Sequence, residues 1–261
     1  MFTYIRVPVA DMRESPRGDS KIVSQALFGE EVQVGERAGE WGSIATPDSY
    51  TGWVFSAHLV ALPTVYPTHV EVTRLSAHIY PVPDTEYGPL ITLPFGVGLK
   101  VIDSSDPRWI KISLIDGQEA YVQKGDVQLE PHVDLVTLSR KFLGLPYTWG
   151  GRSSFGYDCS GFVQMLYRRV GIHLPRDARQ QIRDPRCKPI PLETLAPGDL
   201  LFFGPSEQEI KHVGMCLEGT QFIHTSSREN KPYVRISKLT DTEWSGSGEV
   251  SYPFRAARRI I

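Results

Sequence analysis

Residues 156–171 read GYDCSGFVQMLYRRVG, in which a cysteine lies among glycines and is followed by a segment with the apolar spacing of a helix. The apolar positions recur every three or four residues, at Phe162, Val163, Leu166, Tyr167 and Val170. Asp158 is a good N-cap, and Gly171 is a good C-terminal stop. The stretch therefore predicts a helix that begins at Asp158 and carries Cys159 in its first turn.

The sequence on either side of this helix predicts an α+β domain. Upstream, residues 133–144, VDLVTLSRKFLG, have the spacing of a second helix that ends at Gly144. Downstream, apolar or alternating runs predict strands at DLLFF (199–203), HVGMCLE (212–218), QFIHTS (221–226) and PYVRIS (232–237). Helices followed by antiparallel strands indicate a domain over about 131–261 with its helices packed on one side of the sheet.

The first half of the chain has a different sequence pattern, with short apolar runs separated by Pro, Gly and Asp and no helical period. It predicts two small all-β barrels, over residues 1–63 and 68–130. Both contain a Gly turn before a β-rich run, FGEEVQV and FGVGLKV, and a Trp that opens the next strand, Trp41 and Trp109. This shared order predicts a degenerate internal repeat, joined where prolines disfavour regular structure.

The composition excludes several classes of function. The chain has 261 residues, 41% of them hydrophobic, and a net charge of -2, so it offers no broad attraction for nucleic acid or an anionic membrane. No apolar run approaches the roughly 20 residues of a membrane span, and the first residues lack a signal-peptide pattern. We expect a cytoplasmic protein that spans no membrane and binds no nucleic acid. The alternative is an exported protein whose signal peptide has been removed.

The three cysteines are Cys159, Cys187 and Cys216, which are too few and too widely spaced for a disulfide framework. In a monomer, the state that we expect, at least one thiol stays free. Cys216 shares a strand face with His212 and is assigned to the core, while Cys187 has no assigned role.

Cys159 is the candidate nucleophile. At a helix N-terminus, backbone N–H groups and the helix dipole favour a thiolate, and the N–H of Cys159 itself is placed to stabilise an oxyanion. The glycines around it, Gly150, Gly151, Gly156 and Gly161, suggest room for a substrate backbone. The alternative is that Cys159 is a small buried hydrophobe.

His212 and His224 supply the base that such a nucleophile needs. They lie on two predicted strands joined by a tight turn at 218–220, so their imidazoles emerge opposite or nearly opposite each other. We assign His212 as the base and His224 as the group that orients it. Either histidine could instead be structural, and Cys159, His212 and His224 are also suitable zinc ligands, although their spacing does not require a metal.

Three motifs in this order identify a family resemblance: LGLPYTWGGRSSFGYDCSGFVQMLYRRVGIHLPRDARQQ, LAPGDLLFF and HVGMCLEGTQFIHTS. Together they closely resemble the NlpC-type cell-wall peptidases, which are papain-like cysteine peptidases that use no cofactor. The two N-terminal patterns resemble bacterial SH3-like domains. The resemblance implies that Cys159 is the nucleophile, His212 the base and His224 the third member of the triad.

The resemblance also implies a substrate. Similar enzymes cleave the γ-D-glutamyl-diamino acid bond of peptidoglycan-derived peptides, and some require a free N-terminal L-Ala. The residues that this implies for substrate binding are Asp158, Ser160, Tyr147 and Trp149, with Glu14 and Tyr50 from the first barrel. Glu14 and Tyr50 also have plain structural readings, as an exposed loop residue and a packed turn residue.

The function predicted from the sequence is therefore a cysteine endopeptidase. A non-catalytic module that binds cell-wall peptides, or an acyltransferase or amidase on the same fold, are the alternatives. Of the remaining motif residues, Arg176 and Asp177 are predicted to line the cleft, and Asp199 is predicted to be a structural turn residue.

Overall fold

The computed structural model describes residues 1–127, 134–245 and 252–261. Its contacts divide the chain into two compact units, Met1–Pro131 and His132–Ile261. The predicted start of the third domain, at about 131, and the first residue of the predicted upstream helix lie outside the described residues. Among the helices that are described, none has the length and apolar character needed to cross a membrane.

The first unit begins with a seven-stranded antiparallel sheet. Its strands are β1 (Phe2–Ile5), β2 (Val9–Arg13), β3 (Ile22–Leu27), β4 (Glu31–Ala38), β5 (Trp41–Ala45), β6 (Thr51–Phe55) and β7 (Leu59–Leu62). They are ordered β3-β2-β6-β5-β4-β1-β7. Inward-facing residues alternate along the strands and form one apolar cluster, which includes Ile5, Met12 and Val54.

A six-stranded antiparallel sheet follows in the same unit. Its strands are β8 (Val70–Glu71), β9 (Ser76–Tyr80), β10 (Ile91–Pro94), β11 (Gly98–Asp103), β12 (Trp109–Ser113) and β13 (Glu119–Gln123). Their order, β10-β9-β13-β12-β11-β8, repeats the order of β1 to β6 strand for strand. Trp41 and Trp109 open equivalent strands, and both turns before the β-rich runs place a glycine at positive φ, Gly29 and Gly96. The two sheets therefore share one strand order, which is what the predicted internal repeat requires.

Tyr66 connects the two sheets. It lies in the segment between β7 and β8 and is buried. Its backbone N–H donates to the hydroxyl of Tyr4 at 3.0 Å, and its own hydroxyl donates to the carbonyl of Ser113 at 2.7 Å. The proline-flanked join is thus held to the first sheet at one end of Tyr66 and to the second at the other.

The second unit is an α+β arrangement built on a six-stranded antiparallel sheet. Its strands are β16 (Cys187–Ile190), β17 (Leu200–Phe203), β18 (His212–Glu218), β19 (Gln221–Ser226), β20 (Tyr233–Lys238) and β21 (Phe254–Ile260), after a small hairpin of β14 (Arg152–Ser153) and β15 (Gly156–Tyr157). The sheet order is β16-β21-β17-β18-β19-β20. The helices are α1 (Leu135–Arg140), α2 (Cys159–Arg168), α3 (Ala178–Gln181) and α4 (Thr242–Ser245).

The two predicted helices and the four predicted strands are present. The Asp134 side chain caps α1 by accepting from the Thr137 N–H at 2.8 Å, and Gly144 has a φ of 85° after the following turn. Strands β16 and β21 and helices α3 and α4 were not predicted. Strand β21 is joined to the turn before β17 by Arg259, which pairs with Asp199 at 2.8 Å and confirms the structural role of that carboxylate.

Helix α2 packs against β18 and β19 and so brings its first residue to the sheet. Edge-to-face contacts among Phe142, Tyr157 and Phe162 fix the helix against the segments before it. A second cluster, which includes Phe203, Phe222 and Trp244, covers one face of the sheet. The histidines of β18 and β19 contact this second cluster.

Candidate active site

Cys159 is the first residue of α2, as predicted. Asp158 is the N-cap, and its Oδ1 accepts from the Gly161 N–H at 2.7 Å. The thiol of Cys159 lies within hydrogen-bonding reach of the Val213 backbone N–H, one residue after His212. Its own N–H is a first-turn amide with no acceptor inside the helix, which suits it to an oxyanion.

The glycines near Cys159 have a different role from the one that we predicted. A Cβ on Gly161 would lie 2.2 Å from the Gly151 carbonyl oxygen, and one on Gly151 would lie 2.3 Å from that of Gly156. A Cβ on Gly156 would meet the side chain of Thr148 at 2.0 Å. The space at these three positions is filled by the protein itself, so they allow the 146–158 segment to pack onto the helix rather than making room for a substrate.

The two histidines form a hydrogen bond across the β18–β19 hairpin. His212 Nε2 and His224 Nδ1 are 3.1 Å apart, and both side chains are buried. Gly214 follows His212 by two residues on β18, and a Cβ there would be 2.6 Å from the Phe222 ring and 3.1 Å from the His224 Cβ. Because Nε2 of His212 is directed at His224, Nδ1 is the nitrogen with which His212 can accept the proton of Cys159.

Two further side chains fix this pair. Ser237, on β20, places its Oγ 3.0 Å from His224 Nε2. The Trp244 ring stacks on His212, with centroids 4.8 Å apart and planes at 22°, and meets His224 edge-on at 4.9 Å. Neither residue was predicted from the sequence to belong to the site, since only tertiary pairing brings β20 and α4 to the hairpin.

Burial keeps both imidazoles neutral. It lowers the pKa of His212 to about 3, and the positive charges of Arg235 and Arg228 act in the same direction. The pKa of His224 is lowered well below its ordinary value by burial, by His212 and by Arg235. Both cations pair with Glu243, at 3.1 Å from Arg235 and 3.9 Å from Arg228.

The pKa of the Cys159 thiol is raised, whereas its position at a helix N-terminus predicted that it would be lowered. Burial raises the pKa of Cys159 to about 12, and the neighbouring carboxylate of Asp158 adds to this effect. The backbone N–H groups of Val213 and Ser160 act in the predicted direction but are outweighed. The resting site therefore favours a neutral thiol and a neutral imidazole, and the proton moves as the sulphur attacks.

Asp158 forms a buried ion pair with Arg176. The guanidinium contacts both carboxylate oxygens, at 3.0 and 2.6 Å, and is only 1% exposed. It also donates to Ser160 Oγ at 3.0 Å and to the Gly151 carbonyl at 3.4 Å. Arg176 was predicted to line the cleft, but it is buried and does not line an open cleft. Asp158, which the resemblance implies for the substrate amine, has most of its acceptor capacity occupied by the protein.

The other residues implied for substrate binding are placed as follows. Tyr147 lies close enough to Cys159 and Asp158 for their charges to add to burial in raising its pKa. Ser160 is buried and donates to Asp158 Oδ1 at 3.2 Å, whereas Trp149 is 58% exposed. Glu14 and Tyr50 belong to the first unit.

In that unit, Glu14 is exposed just after β2, and its N–H donates to the Lys21 carbonyl at 2.9 Å. Tyr50 is partly buried against the apolar cluster of the first sheet. Their roles, and those of Tyr147, Trp149, Asp158 and Ser160 in binding substrate, stay predictions.

A metal site does not emerge from the described part of the chain, where no group of three or more His, Cys, Asp or Glu side chains is arranged to hold an ion. Asp177, predicted to line the cleft, forms a capping box with Gln180 at the start of α3. Cys216 is fully buried in the sheet core, as predicted.

Known proteins resemble the chain over both units. The model of the NlpC/P60 family matches residues 144–247, and the model of the bacterial dipeptidyl-peptidase SH3 domain matches residues 12–59. The gamma-D-glutamyl-L-lysine dipeptidyl-peptidase of Bacillus subtilis (strain 168) is 33% identical over 240 residues, which cover 86% of this chain and 78% of the relative. Dipeptidyl-peptidase 6 of Lysinibacillus sphaericus is 27% identical over 252 residues, 89% of this chain and 90% of the relative.

A solved structure agrees with these relatives. The crystal structure of an NlpC/P60 family protein from Bacillus cereus ATCC 10987 has a TM-score of 0.85 and 25% identity, and it covers 100% of this chain and 99% of that one. The matched residues 144–247 include Cys159, His212 and His224. The fold, the relatives and the cysteine-histidine arrangement lead to one conclusion: the chain belongs to the NlpC/P60 family of cysteine peptidases, with SH3-like β structure ahead of a papain-like unit.

Proposed function

We propose that the chain hydrolyses the γ-D-glutamyl-diamino acid bond of peptidoglycan-derived peptides that carry a free N-terminal L-Ala. The observation that carries the proposal is the placement of Cys159 at a helix N-terminus, with its thiol near the N–H of Val213, the residue after His212, and with His224 3.1 Å from His212. Two relatives at 33% and 32% identity are named gamma-D-glutamyl-L-lysine dipeptidyl-peptidases, which supports this bond as the target.

The reaction follows the arrangement of these groups. The sulphur of Cys159 attacks the γ-carbonyl carbon of the D-Glu residue while the S–H proton moves to Nδ1 of His212. The oxyanion accepts from the Cys159 N–H. The tetrahedral intermediate expels the amino group of the diamino acid, which takes the proton from His212, and a thioester remains.

Water completes the cycle. His212 takes a proton from a water molecule as its oxygen attacks the thioester carbon, and the carbon-sulphur bond then breaks. The proton returns to the sulphur, and the released dipeptide ends in the γ-carboxylate of D-Glu. His224 keeps the ring of His212 in place through both steps, because the hydrogen bond between His212 Nε2 and His224 Nδ1 persists when His212 is protonated.

The test is mass spectrometry of L-Ala-γ-D-Glu-meso-diaminopimelate, its L-Lys analogue and the N-acetylated forms after incubation with the protein. We expect release of L-Ala-D-Glu from a free-amine peptide, with no release from the acetylated forms. Cys159→Ala should abolish the reaction, and Cys187→Ala, which removes a thiol outside the site, should leave it unchanged. Cleavage of acetylated and free peptides alike would reject the amine requirement. No cleavage of any peptide by the parent protein would reject the proposed bond.

We also propose that the protein is a cytoplasmic monomer. The three cysteines are all unpaired in the structure, which fits a reducing compartment. Fractionation of the source cells with an antibody to the chain would test the compartment, and light scattering during gel filtration would test the monomer. Recovery in the extracellular fraction, or a mass near twice 29.3 kDa, would contradict one or the other.

A further inference from the structure

His224 has a hydrogen-bond partner on each ring nitrogen. Nδ1 faces His212 Nε2 at 3.1 Å, and Nε2 faces Ser237 Oγ at 3.0 Å. His224 is fully buried, and His212 and Ser237 are 4% and 9% exposed, so water has little access to these groups. The direction of each hydrogen bond is therefore determined by the three side chains themselves.

We propose that Ser237 is a positioning residue that sets the tautomer of His224 and, through it, the tautomer of His212. In a neutral imidazole one nitrogen donates and the other accepts. His212 accepts the thiol proton at Nδ1 only if its own proton is on Nε2. That N–H then donates to Nδ1 of His224, so His224 carries its proton on Nε2 and donates it to Ser237 Oγ.

The opposite direction of the chain is unproductive. If the Ser237 hydroxyl donated to His224 Nε2, Nδ1–H of His224 would donate to His212 Nε2. His212 would then present an N–H to Cys159 and could not take its proton. Both directions place the same heavy atoms at the same distances, so only the positions of the protons separate an active site from an inactive one.

Formation of the imidazolium during the reaction makes the productive direction obligatory. A protonated His212 donates from both nitrogens, so His224 must accept at Nδ1 and must donate from Nε2. The Ser237 oxygen is the acceptor that satisfies this buried N–H, whose loss would leave an unsatisfied donor. The contribution of Ser237 therefore grows as charge develops on His212, and its loss should lower kcat more than it raises KM.

The experiment compares Ser237→Ala with Ser237→Thr, which keeps the hydroxyl, and with Ser139→Ala. Ser139 is also buried, but its hydroxyl donates to the Val136 carbonyl within α1, so its loss controls for removal of a buried oxygen. With the peptide of the preceding test, kcat should fall about 10- to 100-fold in Ser237→Ala, with KM changed by less than about twofold. Ser237→Thr should recover most of kcat, and Ser139→Ala should keep it.

A second readout does not require the proposed substrate. In protein labelled with 15N histidine, Nε2 of His224 should have the shift of a protonated nitrogen in the parent and move toward the unprotonated range in Ser237→Ala. Signals would be assigned with His212→Gln and His224→Gln. An unchanged His224 Nε2 signal in Ser237→Ala would overturn the inference, as would a kcat within twofold of the parent or a loss that Ser139→Ala shares. If the parent protein failed to cleave the peptide but the 15N shifts were as predicted, the proposed substrate would be rejected and the role of Ser237 would be retained.

Discussion

Removal of Arg176 tests whether the buried ion pair holds the start of the nucleophile helix. In Arg176→Met the carboxylate of Asp158, which is 15% exposed, loses contacts to the guanidinium at 2.6 and 3.0 Å, and Ser160 and Gly151 lose a donor. Breaking a buried pair by removing one partner costs about 3–5 kcal/mol. For a unit of about 130 residues this corresponds to a fall in Tm of roughly 10–20 °C.

The assay is calorimetry of the full chain, following the transition of the second unit. Arg179→Met is the matched control, because Arg179 pairs with Asp177 but is 68% exposed, and such pairs contribute about 1 kcal/mol or less. The double variant Asp158→Asn with Arg176→Met keeps a good N-cap without leaving an unpaired charge, so its loss should be smaller than the sum of the single losses. A fall in Tm for Arg176→Met no larger than that of Arg179→Met would refute the reasoning, as would strict additivity in the double variant.

Three further predictions concern the hairpin and the thiol. Gly214→Ala should lower the free energy of unfolding by about 1–3 kcal/mol and displace His224, with a large loss of kcat. Gly219→Ala, at the open turn, should lower it by about 1 kcal/mol through backbone strain and keep kcat. Equal kcat values for the two variants would contradict this prediction. Because burial lowers the pKa of His212 and His224, the unfolded chain binds protons there that the folded chain does not. Urea unfolding should therefore show stability falling below about pH 6.5, by roughly 1 kcal/mol per pH unit for each histidine, and a His224→Gln variant with an unchanged slope would argue against it. Since the pKa of Cys159 is raised, its alkylation by iodoacetamide should accelerate steadily from pH 7 to 9, and a rate that is flat over this range would indicate a preformed thiolate.

The sequence predicted those features of the site that depend on local pattern. The 3.6-residue period placed α2, and its N-cap placed Cys159 in the first turn. The alternation of HVGMCLE and QFIHTS placed His212 and His224 on neighbouring strands, where they form a hydrogen bond. The repeated order of turns and tryptophans in the first half predicted an internal repeat, and the two sheets share one strand order.

The features that the sequence did not predict depend on tertiary contacts. Ser237 and Trp244 have no local motif, and they reach the histidines only because β20 pairs with β19 and α4 packs on the same face. Burial outweighs the helix terminus at Cys159, and the degree of burial cannot be read from neighbours in sequence. The glycines around Cys159 were misread for a similar reason, since the backbone that fills their space comes from another part of the loop.

Tyr66 gives the N-terminal repeats a property that neither has alone. Because it bonds to Tyr4 in one sheet and Ser113 in the other, opening either sheet removes a buried partner from its neighbour. The duplicated halves are therefore expected to melt in a single cooperative step, although each has its own strand set. A fragment cut between the repeats would expose the Tyr4 hydroxyl and ring, so the smallest piece of the first unit that expresses well should contain both copies.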